Sequence, residues 1–375
     1  MRKIQMVDTK TQYLAIKEQV DTAIHAVLDS AAYINGKAVK DFAQNLSTYL
    51  GVEHVIPCAN GTDALQIAMM ALDLKPGDEV ITPSFTYIAT TEVVALLNLT
   101  PVFVDVDPVT YCMKIESLKK AITPKTKAIV PVHLYGQAAP MEEIMEIAKQ
   151  YNLYVIEDNA QAIGCEYTFS DGTKKKTGTI GHIGATSFYP SKNLGAFGDG
   201  GALFTNDKSL ANKMTMIANH GQSERYYHDV VGCNSRLDSI QAAILNIKLA
   251  HLDAYNKARQ AVAKFYSNAF VGIAEIVTPA TGKYTTHVFH QYTMQLNGVD
   301  RDDFIAHLNA KEIPCMIYYP VPGHLQKMFG NQANQHLDLP ITNALTPCVC
   351  SLPIHTEMDE EQLSYIVEGV KSYFK

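Results

Sequence analysis

The hydrophobic positions of this chain alternate between a spacing typical of helices and one typical of strands. Helical spacing occurs at Ile16, Val20, Ile24, Val27 and Leu28 and again at Leu65, Met69 and Leu72. Further helices are predicted near residues 88–98, 115–121 and 141–151. Short β-branched runs at 80–82, 102–104, 128–132 and 154–156 predict strands between them. This alternation indicates an α/β fold, with a mostly parallel central sheet and helices on both faces.

The pattern changes after about Leu237. One long helix is predicted over 239–269, and a strand at 288–296, a helix at 301–311, a strand at 315–319 and a closing helix at 359–373 follow it. A chain of 375 residues is too long for a single hydrophobic core. We therefore predict a large domain over residues 1–237 and a smaller α+β domain over residues 238–375.

Composition and charge narrow the class of protein. The chain is 47% hydrophobic and 18% charged, which is typical of a soluble globular protein, and its net charge of -7 argues against nonspecific binding to nucleic acid or anionic membrane. Neither a signal peptide nor a membrane span is visible, so we expect a cytoplasmic location. The seven cysteines include no Cys-x-x-Cys pair, which favours free thiols and predicts no metal site.

Ligands of parallel sheets bind beyond the carboxyl ends of the strands, so polar residues at those positions are candidates for chemistry. Glu157 and Asp158 end one predicted strand, and period-two alternation directs only one of the two carboxylates into a pocket. An Asx turn that caps the next segment is the structural alternative for Asp158.

A possible anion site follows the strand-like run at 54–57, where Gly61 and Thr62 begin a helix. The first turn of a helix presents free N–H groups and the positive end of the helix dipole, which suits a phosphate. An ordinary N-cap by Asn60 or Thr62 is an alternative that is compatible with this interpretation.

Lys192 lies between an apolar, strand-like run and a glycine-rich turn, five residues after Ser187. Partial desolvation of such a lysine lowers the pKa of its amine, and the free amine can form a Schiff base with a carbonyl. Most lysines are solvated surface charges, so the chemistry depends on the partners of this residue.

These segments together resemble the DegT/DnrJ/EryC1/StrS family of sugar aminotransferases, which use pyridoxal 5'-phosphate (PLP). The motifs occur in the family's order over nearly the whole chain, and they include His133-Leu134-Tyr135-Gly136-Gln137. The resemblance implies a fold-type I PLP-dependent transferase in which Lys192 is the Schiff-base partner and the general acid/base. A related branch that performs dehydration has histidine at this position, so the lysine implies transamination.

The resemblance also implies the contacts to the cofactor ring. Asp158, rather than Glu157, would keep the pyridine nitrogen protonated, and Gln161 would hydrogen-bond the ring hydroxyl. Tyr87 would stack on the ring. Phe85 is the competing aromatic, and a place in the core is the alternative for it.

The resemblance implies a homodimer in which both subunits contact the cofactor's phosphate. The amides of Gly61 and Thr62 and the hydroxyl of Ser187 would bind it within one subunit. Asn234 would reach it from the neighbouring subunit, and Arg236 would bind the substrate there, since its planar fork of donors suits a carboxylate or phosphate. A salt bridge to Asp238 or another acid is the alternative for Arg236.

The implied reaction moves an amino group from L-glutamate to a nucleotide-linked keto-hexose, for cell-surface polysaccharide or lipopolysaccharide synthesis. The segments at 58–66, 225–228 and 319–322 are most similar to members that aminate C3 of UDP- or dTDP-linked 3-keto sugars, which implies that reaction. Tyr318, Tyr319 and His324 are the substrate contacts that the resemblance implies, and the segment at 323–326 is closer to the deoxyhexose-type members. Members that take a 3-keto-glucuronate have histidine in place of Tyr318, which argues against a uronic acid. Amination at C4 of a 4-keto-6-deoxy sugar and a non-catalytic PLP-binding protein are the alternatives. The insert at 167–177, with three lysines, is interpreted as a solvated hairpin, and contact with a nucleotide diphosphate is the alternative.

Overall fold

The computed structural model describes residues 2–329 and 337–375. Its helices are α1 (Thr9–Ala15), α2 (Lys17–Ser30), α3 (Lys37–Leu50), α4 (Gly61–Ala71), α5 (Ala89–Leu96), α6 (Ile115–Ala121), α7 (Met141–Tyr151), α8 (Lys208–Ile217), α9 (Ser239–Ala269), α10 (Arg301–Asn309), α11 (Pro340–Leu345) and α12 (Glu360–Lys371). Its strands are β1 (His54–Cys58), β2 (Glu79–Pro83), β3 (Thr100–Val104), β4 (Thr126–Ile129), β5 (Tyr154–Asp158), β6 (Glu166–Thr168), β7 (Lys174–Lys176), β8 (Ile183–Ser187), β9 (Gly201–Thr205), β10 (Gln222–Glu224), β11 (Tyr227–His228), β12 (Ile276–Val277), β13 (Tyr292–Leu296) and β14 (Val349–Leu352).

The central sheet has seven strands in the order β1-β9-β8-β5-β4-β2-β3. Strand β9 runs antiparallel to both of its neighbours, and the other pairs are parallel. Successive residues enter opposite cores: Val80 and Ile156 pack with α4, α5 and α8, whereas Ile81 and Val155 pack with α6 and α7. Helices α3 and α9 cover the remainder of that second face. The predicted α/β fold with a mostly parallel, doubly covered sheet is confirmed.

The C-terminal part contains a second, three-stranded sheet in the order β12-β13-β14. Long helix α9 packs on both sheets, because Leu245 in its first half contacts the cluster around Phe42 and Val262 in its second half contacts the cluster around Met294. Ile4 also packs in the C-terminal cluster. A division of the chain at residue 237 stays a prediction.

The predicted helices agree closely with the structure, since the bounds of α6, α7 and α9 coincide with the predicted ranges. The predicted strand at 315–319 is wrong: Met316 forms a single bridge to Ser351. The chain then leaves the sheet edge, and the carbonyl of Tyr318 accepts a hydrogen bond from the Tyr135 hydroxyl. The strand predicted at 288–296 begins only at Tyr292, because Phe289 is left-handed with φ of 46°.

The insert at 167–177 and the apolar length of the helices were both subjects of prediction. The lysine-rich insert forms the antiparallel hairpin β6–β7, which confirms the predicted hairpin. No helix among the described residues is long and apolar enough to cross a membrane.

Candidate active site

The turn before α4 meets the carboxyl end of β8 through two glycines. Gly201 pairs with Cys58 on one side and with Ser187 on the other, and a Cβ on it would lie 2.5 Å from the backbone of Asn60. A Cβ on Gly61 would lie 2.7 Å from the Cβ of Ser187. Only glycine permits these two approaches, which place the first turn of α4 beside the Ser187 hydroxyl.

The amino end of α4 has the features of an anion site. Asn60 caps the helix, because its side chain accepts a hydrogen bond of 2.8 Å from the Asp63 amide. The amides of Gly61 and Thr62 precede that amide in the first turn. The structure therefore brings together Gly61, Thr62 and Ser187, which the sequence suggested separately. We call these three residues the anion cradle.

Lys192 follows Ser187 by five residues and is half-buried, in a turn closed by a 2.8 Å hydrogen bond from its own amide to the Tyr189 carbonyl. Burial lowers the pKa of its ammonium from 10.5 to about 8, and the charge of Asp158 opposes that shift. No described residue accepts a hydrogen bond from its Nζ or forms an ion pair with it. The amine is therefore available for chemistry near neutral pH.

The lowered pKa of Lys192 predicts how the apoenzyme takes up an aldehyde. The neutral amine is the nucleophile, and roughly a tenth of it is neutral at pH 7 when the pKa is about 8. We expect the rate of PLP uptake, followed by stopped-flow absorbance, to rise with pH and to level off above about 8. A rate that keeps climbing toward the ordinary lysine pKa would contradict this environment for Lys192.

The two acidic residues at the end of β5 have opposite surroundings. Glu157 accepts hydrogen bonds from Nε2 of His133 at 2.8 Å and from the backbone amides of Gly178, Ile180 and Gly181 at 2.8, 2.6 and 2.6 Å. Nδ1 of His133 accepts from the Ala139 amide at 3.0 Å, so its Nε2 carries the proton. Glu157 thus anchors the loop after β7, and the period-two alternation leaves Asp158 on the side of Lys192.

Asp158 is buried at 6% exposure, and each of its carboxylate oxygens has one partner. Oδ1 accepts from the Ala160 amide at 3.1 Å, and Oδ2 accepts from the Thr90 hydroxyl at 2.8 Å. Thr90 in turn contacts the hydroxyl of Thr86 at 3.2 Å. Neither threonine was predicted as a site residue: Thr90 lies in the first turn of α5, and Thr86 lies in the bend before that helix, so no helical spacing relates them.

Gln161 lies among aromatic residues. Its Oε1 accepts from the Tyr135 amide at 2.7 Å, and its Nε2 donates to the Tyr319 hydroxyl at 2.9 Å. Tyr87 is 57% exposed, with its ring centroid 6.0 Å from that of Tyr319, whereas Phe85 is 1% exposed in the core. Tyr87 is therefore the aromatic of this pair that a ligand can reach.

The remaining predicted residues are dispersed around this centre. Asn234 is exposed, and its neighbour Ser235 accepts a hydrogen bond of 3.0 Å from the Ala59 amide of the cradle turn. Arg236 is half-buried and forms no ion pair with any residue of 2–329 or 337–375, so the alternative of a salt bridge to Asp238 is not observed.

Tyr318 and His324 differ in how far their side chains are exposed to a substrate. Tyr318 is half-buried beside Tyr319, with the two ring centroids 5.8 Å apart. His324 is 2% exposed; its amide donates to the Ser84 oxygen at 3.2 Å, and its Nδ1 lies 2.7 Å from that oxygen. These two contacts fasten the segment after β2 to His324, and burial lowers the pKa of its imidazole.

Comparison with known proteins identifies the family. Residues 14–371 match the model of the DegT/DnrJ/EryC1/StrS aminotransferase family. This chain belongs to that family. It is 45% identical, over 98% of its length and 97% of the relative, to a UDP-N-acetyl-3-dehydro-alpha-D-glucosamine 3-aminotransferase of Acidithiobacillus ferrooxidans. It is 43% identical, over 97% of its length and 98% of the relative, to a UDP-2-acetamido-2-deoxy-3-oxo-D-glucuronate aminotransferase of Pseudomonas aeruginosa.

The fold agrees with this membership. The structure of S. venezuelae DesV in complex with a ketimine intermediate aligns with 100% of this chain and 99% of its own, with a TM-score of 0.94 and 38% identity. The protein is a PLP-dependent aminotransferase of fold type I.

The residues of the site fit PLP. When bound, PLP supplies an aldehyde that condenses with an amine and a protonated ring that accepts electrons. The chain offers a free amine of lowered pKa at Lys192, a buried carboxylate at Asp158 and an anion cradle in which Gly61 and Ser187 are in close contact. These groups match the aldehyde, the ring nitrogen and the phosphate of the cofactor.

Proposed function

We propose that the DegT/DnrJ/EryC1/StrS aminotransferase described here moves the amino group of L-glutamate to C3 of a UDP- or dTDP-linked 3-keto hexose. The observation that carries the proposal is the 45% identity, over nearly the full length of both chains, to an enzyme named for the 3-amination of a UDP-linked 3-dehydro-glucosamine. The product would be an amino sugar for cell-surface polysaccharide or lipopolysaccharide. The free state of all seven cysteines supports a cytoplasmic location.

The geometry of the site supports one proposed role for each of its residues. Lys192 holds the cofactor covalently, and its Nζ takes and returns the proton that transamination moves. Asp158 binds the ring nitrogen and Gln161 the ring hydroxyl, while Tyr87 covers the ring and excludes water from one face. The phosphate is bound by the amides of Gly61 and Thr62 and by the hydroxyl of Ser187.

The substrate proposal extends to the sugar's C6 substituent. Tyr318 and Tyr319 present hydroxyl groups and no positive charge, so they suit a neutral hexose better than a uronic acid. His324 is the third residue that we assign to the substrate region, where it acts through the segment that it holds on Ser84.

Mass spectrometry with a panel of nucleotide sugars tests this function. The purified protein is expected to show visible PLP absorbance that L-glutamate bleaches, and then to aminate a UDP- or dTDP-3-keto sugar. Preferential amination of 4-keto-6-deoxy sugars would move the reaction to C4. Absorbance that no amino donor bleaches would indicate a PLP-binding protein without turnover.

We also propose a homodimer with shared active sites, in which Asn234 and Arg236 act in the partner's site. The hairpin β10–β11 and the chain after it support this arrangement, because they present apolar side chains to solvent: Tyr226 is 77% exposed, Tyr227 67% and Val231 83%. Arg236 is free of an ion pair within its own described chain and so is available to a ligand.

Mixed dimers test the sharing of sites. Lys192→Ala and Arg236→Ala homodimers are each expected to be inactive. When the two are unfolded and refolded together, a dimer with one chain of each kind has one site with both residues intact, so activity returns to about a quarter of the wild-type value. If Arg236 acts in its own subunit, that site is never formed and no activity returns. Light scattering gives the oligomeric state of each sample.

A further inference from the structure

Three buried side chains form a hydrogen-bonded row that ends at the Asp158 carboxylate. Thr90 is 0% exposed and Thr86 is 5% exposed. The hydroxyl oxygens of Thr86 and Thr90 are 3.2 Å apart, and the Thr90 hydroxyl donates to Oδ2 of Asp158 at 2.8 Å. The amide of Thr90 also donates to the carbonyl of Tyr87 at 3.3 Å, so this residue contacts two parts of the cofactor site.

The direction of these hydrogen bonds follows from the chemistry of the groups. An ionised carboxylate only accepts, so the single proton of Thr90 is directed to Asp158. The contact between the two threonines then has Thr86 as its donor. A row in which each hydroxyl polarises the next strengthens the last bond, the one to the carboxylate.

We propose that Thr90 is the positioning residue that holds the Asp158 carboxylate in place for the cofactor's ring nitrogen, and that Thr86 supports it. This inference rests on the proposed role of Asp158. A buried carboxylate oxygen that has no hydrogen-bond donor costs free energy, and a hydroxyl donor removes that cost and fixes the orientation of the carboxylate. Apart from Thr90, the Ala160 amide donates to the carboxylate at 3.1 Å, so the loss of Thr90 leaves Oδ2 without its donor.

The consequence concerns the ring proton of bound PLP. If the Asp158 carboxylate is held less firmly against the ring nitrogen, the ring would bind its proton less tightly and would carry less positive charge. Less positive charge there makes protonation of the lysine-linked nitrogen easier. Lys192 and Tyr319 are the titratable groups whose pKa values respond to the charge of Asp158, and both stay unchanged in the variants below.

The experiment compares Thr90→Val, which has nearly the same shape without the hydroxyl, with Thr90→Ser, which keeps it. For Thr90→Val we expect kcat to fall between about 10-fold and 100-fold and the affinity of the apoenzyme for PLP to weaken by a similar factor. The pH midpoint of the visible PLP absorbance should move upward by about half a unit or more. Thr90→Ser should restore all three quantities to near the wild-type values, and Thr86→Val should give a smaller shift of the same sign.

Two results would overturn the inference: a pH midpoint that does not move in Thr90→Val, or an equal change in Thr90→Ser. Thermal unfolding of the apoenzymes separates these outcomes from a general loss of stability. An Asp158→Asn protein measured in parallel identifies which proposal has failed. If it shifts the midpoint while Thr90→Val does not, the role of Thr90 is wrong, and if it does not shift the midpoint either, the role of Asp158 is wrong.

Discussion

Replacement of Lys192 by alanine is expected to abolish the visible PLP absorbance and to lower transamination by roughly ten-thousand-fold. The loss is this large because one amine has two tasks: it binds the aldehyde and it moves the proton. Lys192→Arg is the matched control. It keeps a positive charge at the same position but forms no Schiff base, so it should be as inactive as alanine. Substantial activity in the arginine variant would show that the charge alone is required.

Lys248 is the alternative to Lys192 as the lysine that forms the Schiff base. Lys248 also has a pKa of about 8, because burial and the charge of Arg259 disfavour its ammonium form. It is 1% exposed, its Nζ donates to the Gly195 carbonyl, and it lies 5.3 Å from the ring centroid of Phe197. A lowered pKa is therefore shared by both lysines, and what distinguishes Lys192 is the absence of a partner for its amine among the described residues.

Borohydride reduction of the PLP-loaded protein, followed by peptide mapping, distinguishes the two lysines. We expect the reduced phosphopyridoxyl group on the peptide that contains Lys192, both in the wild type and in Lys248→Met. Label on the Lys248 peptide in either protein would contradict the assignment.

The sequence predicted the sheet and the main helices because their hydrophobic spacing is strong and local. The predicted range of α9 agrees with the helix of 31 residues in the structure. The failure at 315–319 has a tertiary cause, since the Tyr135 hydroxyl from a distant part of the chain binds the Tyr318 carbonyl. Such a contact leaves no periodic signal in the sequence.

The site shows the same division between local and tertiary information. Gly61 and Ser187 each followed from a motif, but their contact depends on the close approach of Gly201 to Asn60, which only the fold shows. Similarly, Thr90 was visible in the sequence as one of several threonines, and only the fold brings it to 2.8 Å from Asp158. Residues that act through other residues are therefore the ones that spacing alone does not identify.

Asp158→Asn is expected to lower kcat by roughly 100- to 1,000-fold and to weaken PLP binding, while the fold is retained. The amide has nearly the same shape as the carboxylate but no charge, so it does not hold a proton on the ring nitrogen. The measurements are single-turnover kinetics with L-glutamate, a PLP titration of the apoenzyme and thermal unfolding.

Glu157→Gln is the matched control, because it makes the same chemical change one residue earlier on β5. Four donors converge on the Glu157 carboxylate, and an amide presents an NH₂ group to some of them. We therefore expect the free energy of unfolding to fall by about 3 kcal/mol, with kcat per PLP-loaded site nearly unchanged. If Glu157→Gln instead lost its PLP signal while Asp158→Asn kept full activity, the two carboxylates would have been assigned the wrong way round, and the side of β5 that faces the cofactor would have to be reversed.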